Sequence, residues 1–395
     1  MGTTTGVGTY ASRQSVTQSS GAFASLMLSV VLPLPSLPYV GPALVKDQRG
    51  RPDQPLPPLE EAEIAGCVAS IRGGSWRGSG PVVLMTYLTD LAGLGPWALG
   101  LSAAHHKIPL VVQGLGMRWG GVGYKLPAVR RAVQLLQALN PATPIAFSDG
   151  TDAVVANSPQ YLPPPVRDKR TLTLSGECGS FPRCFAKQNA QNEAFQACRR
   201  SSRACYPNSG VYVGQPEALL EALSVMHNYA ARGEGIEHNE DQSAANRMYY
   251  SQAGSSSSRS FRVEVDGDSR HFLSLFPCKG PRLRHLRNFT LCHDGAHNPL
   301  RYVRRVDGET TALWYNYSGQ PSRPFIVHSS GLHQRLKAAY FGQAQRGSPR
   351  DWAKLFTPNR AAAEAARAHP VLVVDSVAHG LCHATTLGEL TGHTM

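Results

Sequence analysis

A short apolar run closes on two acids: Pro144-Ile-Ala-Phe-Ser-Asp149-Gly-Thr-Asp152-Ala-Val-Val155. This pattern predicts a buried strand, a tight turn through Asp149 and Asp152, and a second apolar strand. Open α/β sheets present ligand groups at the carboxyl ends of their strands. Two carboxylates three residues apart on such a turn can face one hard cation. Asp and Gly are also ordinary turn residues, so a plain turn is the competing explanation for this segment alone.

The elements around that run set its context. Residues 81–87 and 108–113 are apolar strand candidates, and 95–106 has the composition of a helix between them. Leu126, Val129, Val133 and Leu136 recur at helical spacing, with Arg130 and Arg131 expected on the outer face. The order strand–helix–strand–helix–strand predicts an α/β fold: a doubly wound, mostly parallel, Rossmann-type sheet flanked by helices. A mixed second half follows, with strand candidates at 171–174, 210–213, 261–265 and 324–327. A helix is expected over 216–230, opened by Pro216. Near the end, 361–368 favours helix and 371–374 strand.

The 395 residues suffice for a large α/β domain with tails, at roughly 100–200 residues per domain. Residues 1–60 read as a leader and Pro-rich linker, 61–350 as the domain, and 351–395 as a C-terminal tail. The apolar stretch 22–32 has the length of a signal-peptide core, and Pro33, Pro35 and Pro38 interrupt it as a membrane span. A plastid transit peptide is the alternative reading of that leader. A net charge of +12 suits phosphate-bearing ligands as well as nucleic acid. Since no zinc-finger, RNP or basic-helix pattern is present, nucleic acid is not expected as a partner.

Eight cysteines are present, four of them between 178 and 205, with spacings that do not form a C-x2-C metal pair. Their clustering predicts disulfides and an oxidising compartment. The sequons at Asn288 and Asn316 agree with a secretory route, in the endoplasmic reticulum or Golgi lumen.

Several further blocks share one order. Gly114-Leu-Gly-Met-Arg-Trp119 leads through three glycines to Lys125. After Phe147–Asp152 come Asn208-Ser-Gly210, Glu240-Asp241-Gln242, Asp266 and Pro324-Phe-Ile-Val-His328-Ser-Ser330-Gly331. In this order they resemble the glycosyltransferase domain of procollagen lysyl hydroxylases and the related collagen galactosyl- and glucosyltransferases, over roughly residues 80–345. The resemblance implies a GT-A-like fold, Mn²⁺ as cofactor, a UDP-sugar donor and a protein or glycan acceptor. Asp149, Asp152 and His328 match the metal ligands of that family. Thr86, Trp119, Lys125, Thr151, Ser330 and Gly331 match nucleotide- and phosphate-side positions, Thr151 standing where the family carries Tyr. Asn208, Glu240 and Asp241 match the sugar-facing positions, and Asp241 is the candidate carboxylate at the reacting centre.

Two rival functions remain at this point. A transferase fold weakened at 328–334 would serve as a binding protein. His293 and His297, four residues apart, would suit a zinc hydrolase if they lay on a helix; Gly295, Asn298 and Pro299 favour a loop there.

Overall fold

The computed structural model describes residues 57–72, 76, 78, 80–91, 94–117, 124–162, 169–177, 195–196, 204–231, 241–252, 261–274, 303–306, 309–312, 314–315, 321–328, 359–376 and 379–391. All of them fall within one compact unit, Gln48–Met395. The expected leader, both sequons, Trp119, Glu240, His293, His297, Ser330, Gly331 and five of the eight cysteines lie outside the described residues.

Helices α1 (Glu61–Arg72), α2 (Leu94–His105) and α3 (Lys125–Leu139) alternate with strands β1 (Val83–Tyr87), β2 (Leu110–Gln113) and β3 (Ile145–Ser148). Then come β4 (Ala153–Val155), β5 (Thr171–Glu177), β6 (Tyr206–Gly214), α4 (Pro216–Ala231) and α5 (Asp241–Gln252). Strands β7 (Arg262–Asp266), β8 (Phe272–Ser274), β9 (Val303–Val306), β10 (Glu309–Ala312), β11 (Trp314–Tyr315), β12 (Pro321–Ser322) and β13 (Ile326–His328) follow. The chain finishes with α6 (Arg360–Arg367), β14 (Pro370–Ser376), β15 (Gly380–Thr386) and α7 (Leu387–Leu390).

Eight strands form the central sheet in the order β15-β14-β2-β1-β3-β6-β5-β7. The block β14-β2-β1-β3 is parallel, and β6 adds antiparallel to β3. The fold is therefore α/β, as the alternating elements predict. Strand residues alternate between two apolar layers, which is the period-two pattern of a sheet covered on both faces. Val83, Met85, Phe147, Tyr212 and Leu372 join α1, α3, α4 and α5 on one face. Leu84, Ala146, Val211, Val213 and Val371 join α2, α6 and Leu387 on the other.

A second sheet, β4-β13-β8, lies on the α2 side. Ser102 of α2 anchors it: its hydroxyl accepts a hydrogen bond from the Val155 amide at 3.0 Å and donates to the Leu99 carbonyl at 2.9 Å. The strand pairing puts His328 opposite Ala153, next to Asp152. A residue 176 positions away in sequence thus reaches the turn that follows β3.

Three features depart from the sequence reading. Residues 370–386, set beyond the domain as a tail, supply two strands of the central sheet, because Val371–Val374 are apolar on both faces and pair with β2. Arg131 is buried rather than outside: its guanidinium forks onto Asp375 at 2.8 and 2.9 Å, which offsets the loss of hydration. A disulfide joins Cys67 of α1 to Cys382 of β15, neither of them in the cysteine cluster. Cys205, from the cluster, is also disulfide-bonded. Among the described residues no helix is long and apolar enough to cross a membrane.

Candidate active site

Asp149 leaves β3 with its amide donating to the Gly210 carbonyl of β6 at 2.8 Å. That bond fixes the turn through Asp152. From β13, His328 Nε2 comes within 3.6 Å of Asp149 Oδ2 and 3.4 Å of Asp152 Oδ1. One ligand atom from each of the three residues lies within 4.8 Å of the other two. An ion with metal–oxygen bonds near 2.1 Å holds cis donors roughly 3 Å apart and trans donors roughly 4 Å apart, so the span fits a single cation. Neither nitrogen of the buried His328 ring has a hydrogen-bond partner among the described residues, an arrangement that buried polar atoms rarely tolerate without a guest. Two carboxylates and one imidazole form a donor set for Mn²⁺-like ions rather than for a soft thiolate-loving metal. Exposure falls from 33 % at the Asp149 side chain to 12 % at Asp152 and 1 % at His328, so a ligand enters from the Asp149 side.

Two glycines make the cluster compact. A Cβ on Gly210 would meet the His328 ring and the Asp149 carboxylate, and one on Gly150 would meet Leu88 and the Thr86 hydroxyl. Thr86, near the end of β1, therefore lies directly under the acidic turn. Its hydroxyl is buried without a hydrogen-bond partner among the described residues.

Lys125 opens α3 on the inner side of the site. Its ammonium lies 2.9 Å from Asp149 Oδ1, contacts Asp241 Oδ2, and sits 5.3 Å above the centre of the Phe147 ring. Burial alone would lower the Lys125 pKa, but the charges of Asp149 and Asp241 overcome it and hold the group well above its usual range. Burial would raise the Asp149 carboxyl; Lys125 and His328 outweigh that and bring it to about 2. Likewise, burial works against protonation of His328, yet Asp152 and Asp149 raise it to about 10.

On the opposite side of Lys125, Asp241 starts α5 and its Oδ1 accepts from the Gln242 amide at 2.9 Å. The Gln242 side chain accepts from both the amide and the hydroxyl of Ser209, at 2.8 and 3.0 Å. Asn208 donates to Glu177 at 3.1 Å and accepts from the Gly210 amide at 2.9 Å. Asn208–Gly210, expected as a turn, instead lies within β6 where its register against β5 shifts, and the Asn208 amide shapes that bulge. Thr151 is exposed on the acidic turn. Asp266 accepts from the amides of Arg270, His271 and Phe272 at 2.7–2.9 Å and closes the β7–β8 turn, away from any ligand role.

Tyr212 and Glu177 belong to the same polar cluster and were not identified from the sequence. Tyr212 stacks on Phe147 with ring centres 4.8 Å apart, and its hydroxyl is buried without a hydrogen-bond partner among the described residues. Burial pushes its phenol up, and Asp241 and Asp149 add to that against the pull of Lys125. Strand periodicity offered a signal, since Tyr212 stands two residues after Gly210. Glu177 is buried at the end of β5, before the cysteine-rich segment, and no local pattern marks it.

No family model matches the chain, and no curated protein matches it. Among solved structures, it is similar to a glycosyltransferase involved in the glycosylation of the major capsid of PBCV-1, at 9% identity and a TM-score of 0.39, over 66% of this chain and 98% of that one. It is also similar to the bifunctional glycosyltransferase WbbM in its apo form, at 11% identity and a TM-score of 0.36, over 72% of this chain and about half (51%) of that one.

Proposed function

We propose that this protein is a divalent-metal-dependent glycosyltransferase that moves a hexose, galactose or glucose, from a UDP-sugar to a hydroxyl of a protein or glycan. The carrying observation is the convergence of Asp149, Asp152 and His328 from two separate sheets onto one point, with both His328 nitrogens lacking hydrogen-bond partners among the described residues. The charges support the same reading. With His328 deprotonated as a ligand, Asp149, Asp152 and Asp241 set against Lys125 leave two negative charges, which a divalent cation would neutralise. The order of motifs shared with collagen-type transferases supplies the choice of Mn²⁺ and UDP-sugar.

Asp149, Asp152 and His328 would hold the metal, which when bound neutralises charge on a departing diphosphate. Thr86, beneath the acidic turn, is placed to meet the nucleotide. Asp241 is the carboxylate assigned to the reacting centre, and Glu177 with Gly210 keeps the Asn208 bulge of β6 in shape beside it. The paired cysteines and the sequons support action in the lumen of the secretory pathway.

A screen of UDP-sugars with Mn²⁺ tests the reading by thermal unfolding, because a ligand bound only by the folded state raises its apparent stability. The expected result is Mn²⁺-dependent stabilisation by one UDP-hexose and Mn²⁺-dependent release of UDP. Equal stability with and without both ligands defeats the proposal.

A further inference from the structure

We infer that Lys125 is a positioning residue that couples filling of the metal site to the seating of helix α5 and, through α5, of the Asn208–Gly210 bulge of β6. The inference rests on the metal-site reading above. It departs from the phosphate-side role that the sequence resemblance assigns to this lysine.

Asp149 divides its two oxygens: Oδ1 faces Lys125 at 2.9 Å, and Oδ2 faces His328 at 3.6 Å. The lysine therefore selects which oxygen is left for a cation. With the site empty, one ammonium is shared between Asp149 and Asp241. A cation on Oδ2 takes over the neutralisation of Asp149 and repels the ammonium, and both effects drive Lys125 toward Asp241. Asp241 is the first residue of α5, and its neighbour Gln242 grips Ser209 by two hydrogen bonds and donates to the Pro207 carbonyl. Strengthening the Lys125–Asp241 contact thus tightens the helix start and the β6 bulge that it holds. Lys125 is 5 % exposed and sits above Phe147, so it has little freedom to relax in another direction.

Hydrogen exchange with Mn²⁺ alone, no nucleotide present, reads this coupling. In the wild-type protein Mn²⁺ slows exchange in the 149–155 segment and in α5, the latter by about fivefold, as expected if local opening of α5 becomes about 1 kcal/mol harder. In Lys125→Met the 149–155 segment still responds and α5 does not; Lys125→Arg restores the response of α5. Asp241→Asn cuts the same bridge from its other end and gives the Lys125→Met pattern, which keeps the test available if Lys125→Met does not fold. Equal Mn²⁺ protection of α5 in Lys125→Met, or none in wild type while 149–155 responds, overturns the coupling but leaves the metal site standing. Absence of any response in 149–155 of the wild type overturns the metal site and the coupling with it.

Discussion

Two buried ionic clusters lie along helix α3, and they differ in whether the protein completes them. Arg131 and Asp375 close on each other: the guanidinium fork takes both carboxylate oxygens, and the remaining Arg131 donor reaches the Pro57 carbonyl at 2.7 Å. At the other cluster, two carboxylates and an imidazole face a common point, and the imidazole nitrogens have no hydrogen-bond partner among the described residues. A buried charge without a partner is expensive, so an incomplete cluster persists only when a guest completes it or function requires the gap. The closed pair serves the fold, joining α3 to a strand from the far end of the chain. The open one has the geometry to take a ligand.

The largest effect should come from breaking the closed cluster. Arg131→Met leaves Asp375 charged in the interior with only the Gln113 side-chain amide, 3.3 Å away, to face it among the described residues, and removing one member of a buried pair costs about 3–5 kcal/mol. Denaturant unfolding should show that loss, while Mn²⁺ affinity of the protein that remains folded is unchanged. A loss of metal binding equal to that of the next variant would erase the distinction between the clusters. Next, Asp152→Ala should cost less stability than Arg131→Met, because Asp149 still faces the His328 ring, and weaken Mn²⁺ more than about 100-fold, since groups that merely orient a metal ligand are already worth about 10–100-fold. Calorimetric titration measures it, and unchanged affinity would remove the metal site.

Gly210→Ala probes how tightly the open cluster is packed. The added methyl group meets His328 and Asp149, so a loss of stability of about 1–3 kcal/mol is expected from overpacking. Mn²⁺ affinity should fall with it. A silent substitution would mean that the turn has room to give.

Protons and metal compete at the open site, which gives it a pH dependence that the closed pair should not share. His328 has its pKa raised from 6.5 to about 10 in the metal-free fold. A raised value means that the folded state holds the proton more firmly than the unfolded chain does. That stabilisation is complete below pH 6.5 and disappears as pH climbs through about 10. Mn²⁺ must displace the same proton, so its apparent affinity rises up to about tenfold per pH unit across that window. The Asp149 carboxyl, lowered to about 2, contributes stability above its ordinary value of 3.8 and loses it as pH falls through about 2. Melting temperatures with EDTA and with Mn²⁺ between pH 6 and 9 should therefore diverge as pH rises. Parallel curves would assign His328 to a structural hydrogen bond instead.

Much of this was legible in the sequence because it is periodic or local. The helical spacing of Leu126 to Leu136 and the apolar run before Asp149 set the α3–β3 unit and put the acids on its exit turn. His328 was reached only through family resemblance; by itself it is a lone histidine after three apolar residues, and its link to Asp152 is a strand register that no local pattern encodes. The Arg131–Asp375 pair was missed for a related reason. An arginine on a helix is normally solvated, and the carboxylate that draws it inward lies 244 positions away. Helix α5 was hidden because its buried face is built from Ser243, Ala244, Ala245 and Asn246 as well as Met248, which do not form an apolar stripe.

Thr86 gives the smallest effect and the sharpest check on the meaning of an incomplete cluster. Its hydroxyl is buried under Gly150 with no hydrogen-bond partner among the described residues, which leaves an unfavourable desolvation that none of them offsets. Thr86→Val keeps the shape and replaces the hydroxyl by a methyl group, which should stabilise the ligand-free fold by up to about 1 kcal/mol. If the hydroxyl is retained for the nucleotide, the same substitution weakens Mn²⁺-dependent UDP binding, and the melting curves of the two proteins cross as UDP is added. Stabilisation that persists at saturating UDP would mean that the unpaired hydroxyl is a flaw in the packing, and that an unsatisfied polar atom near this site does not by itself mark where a ligand goes.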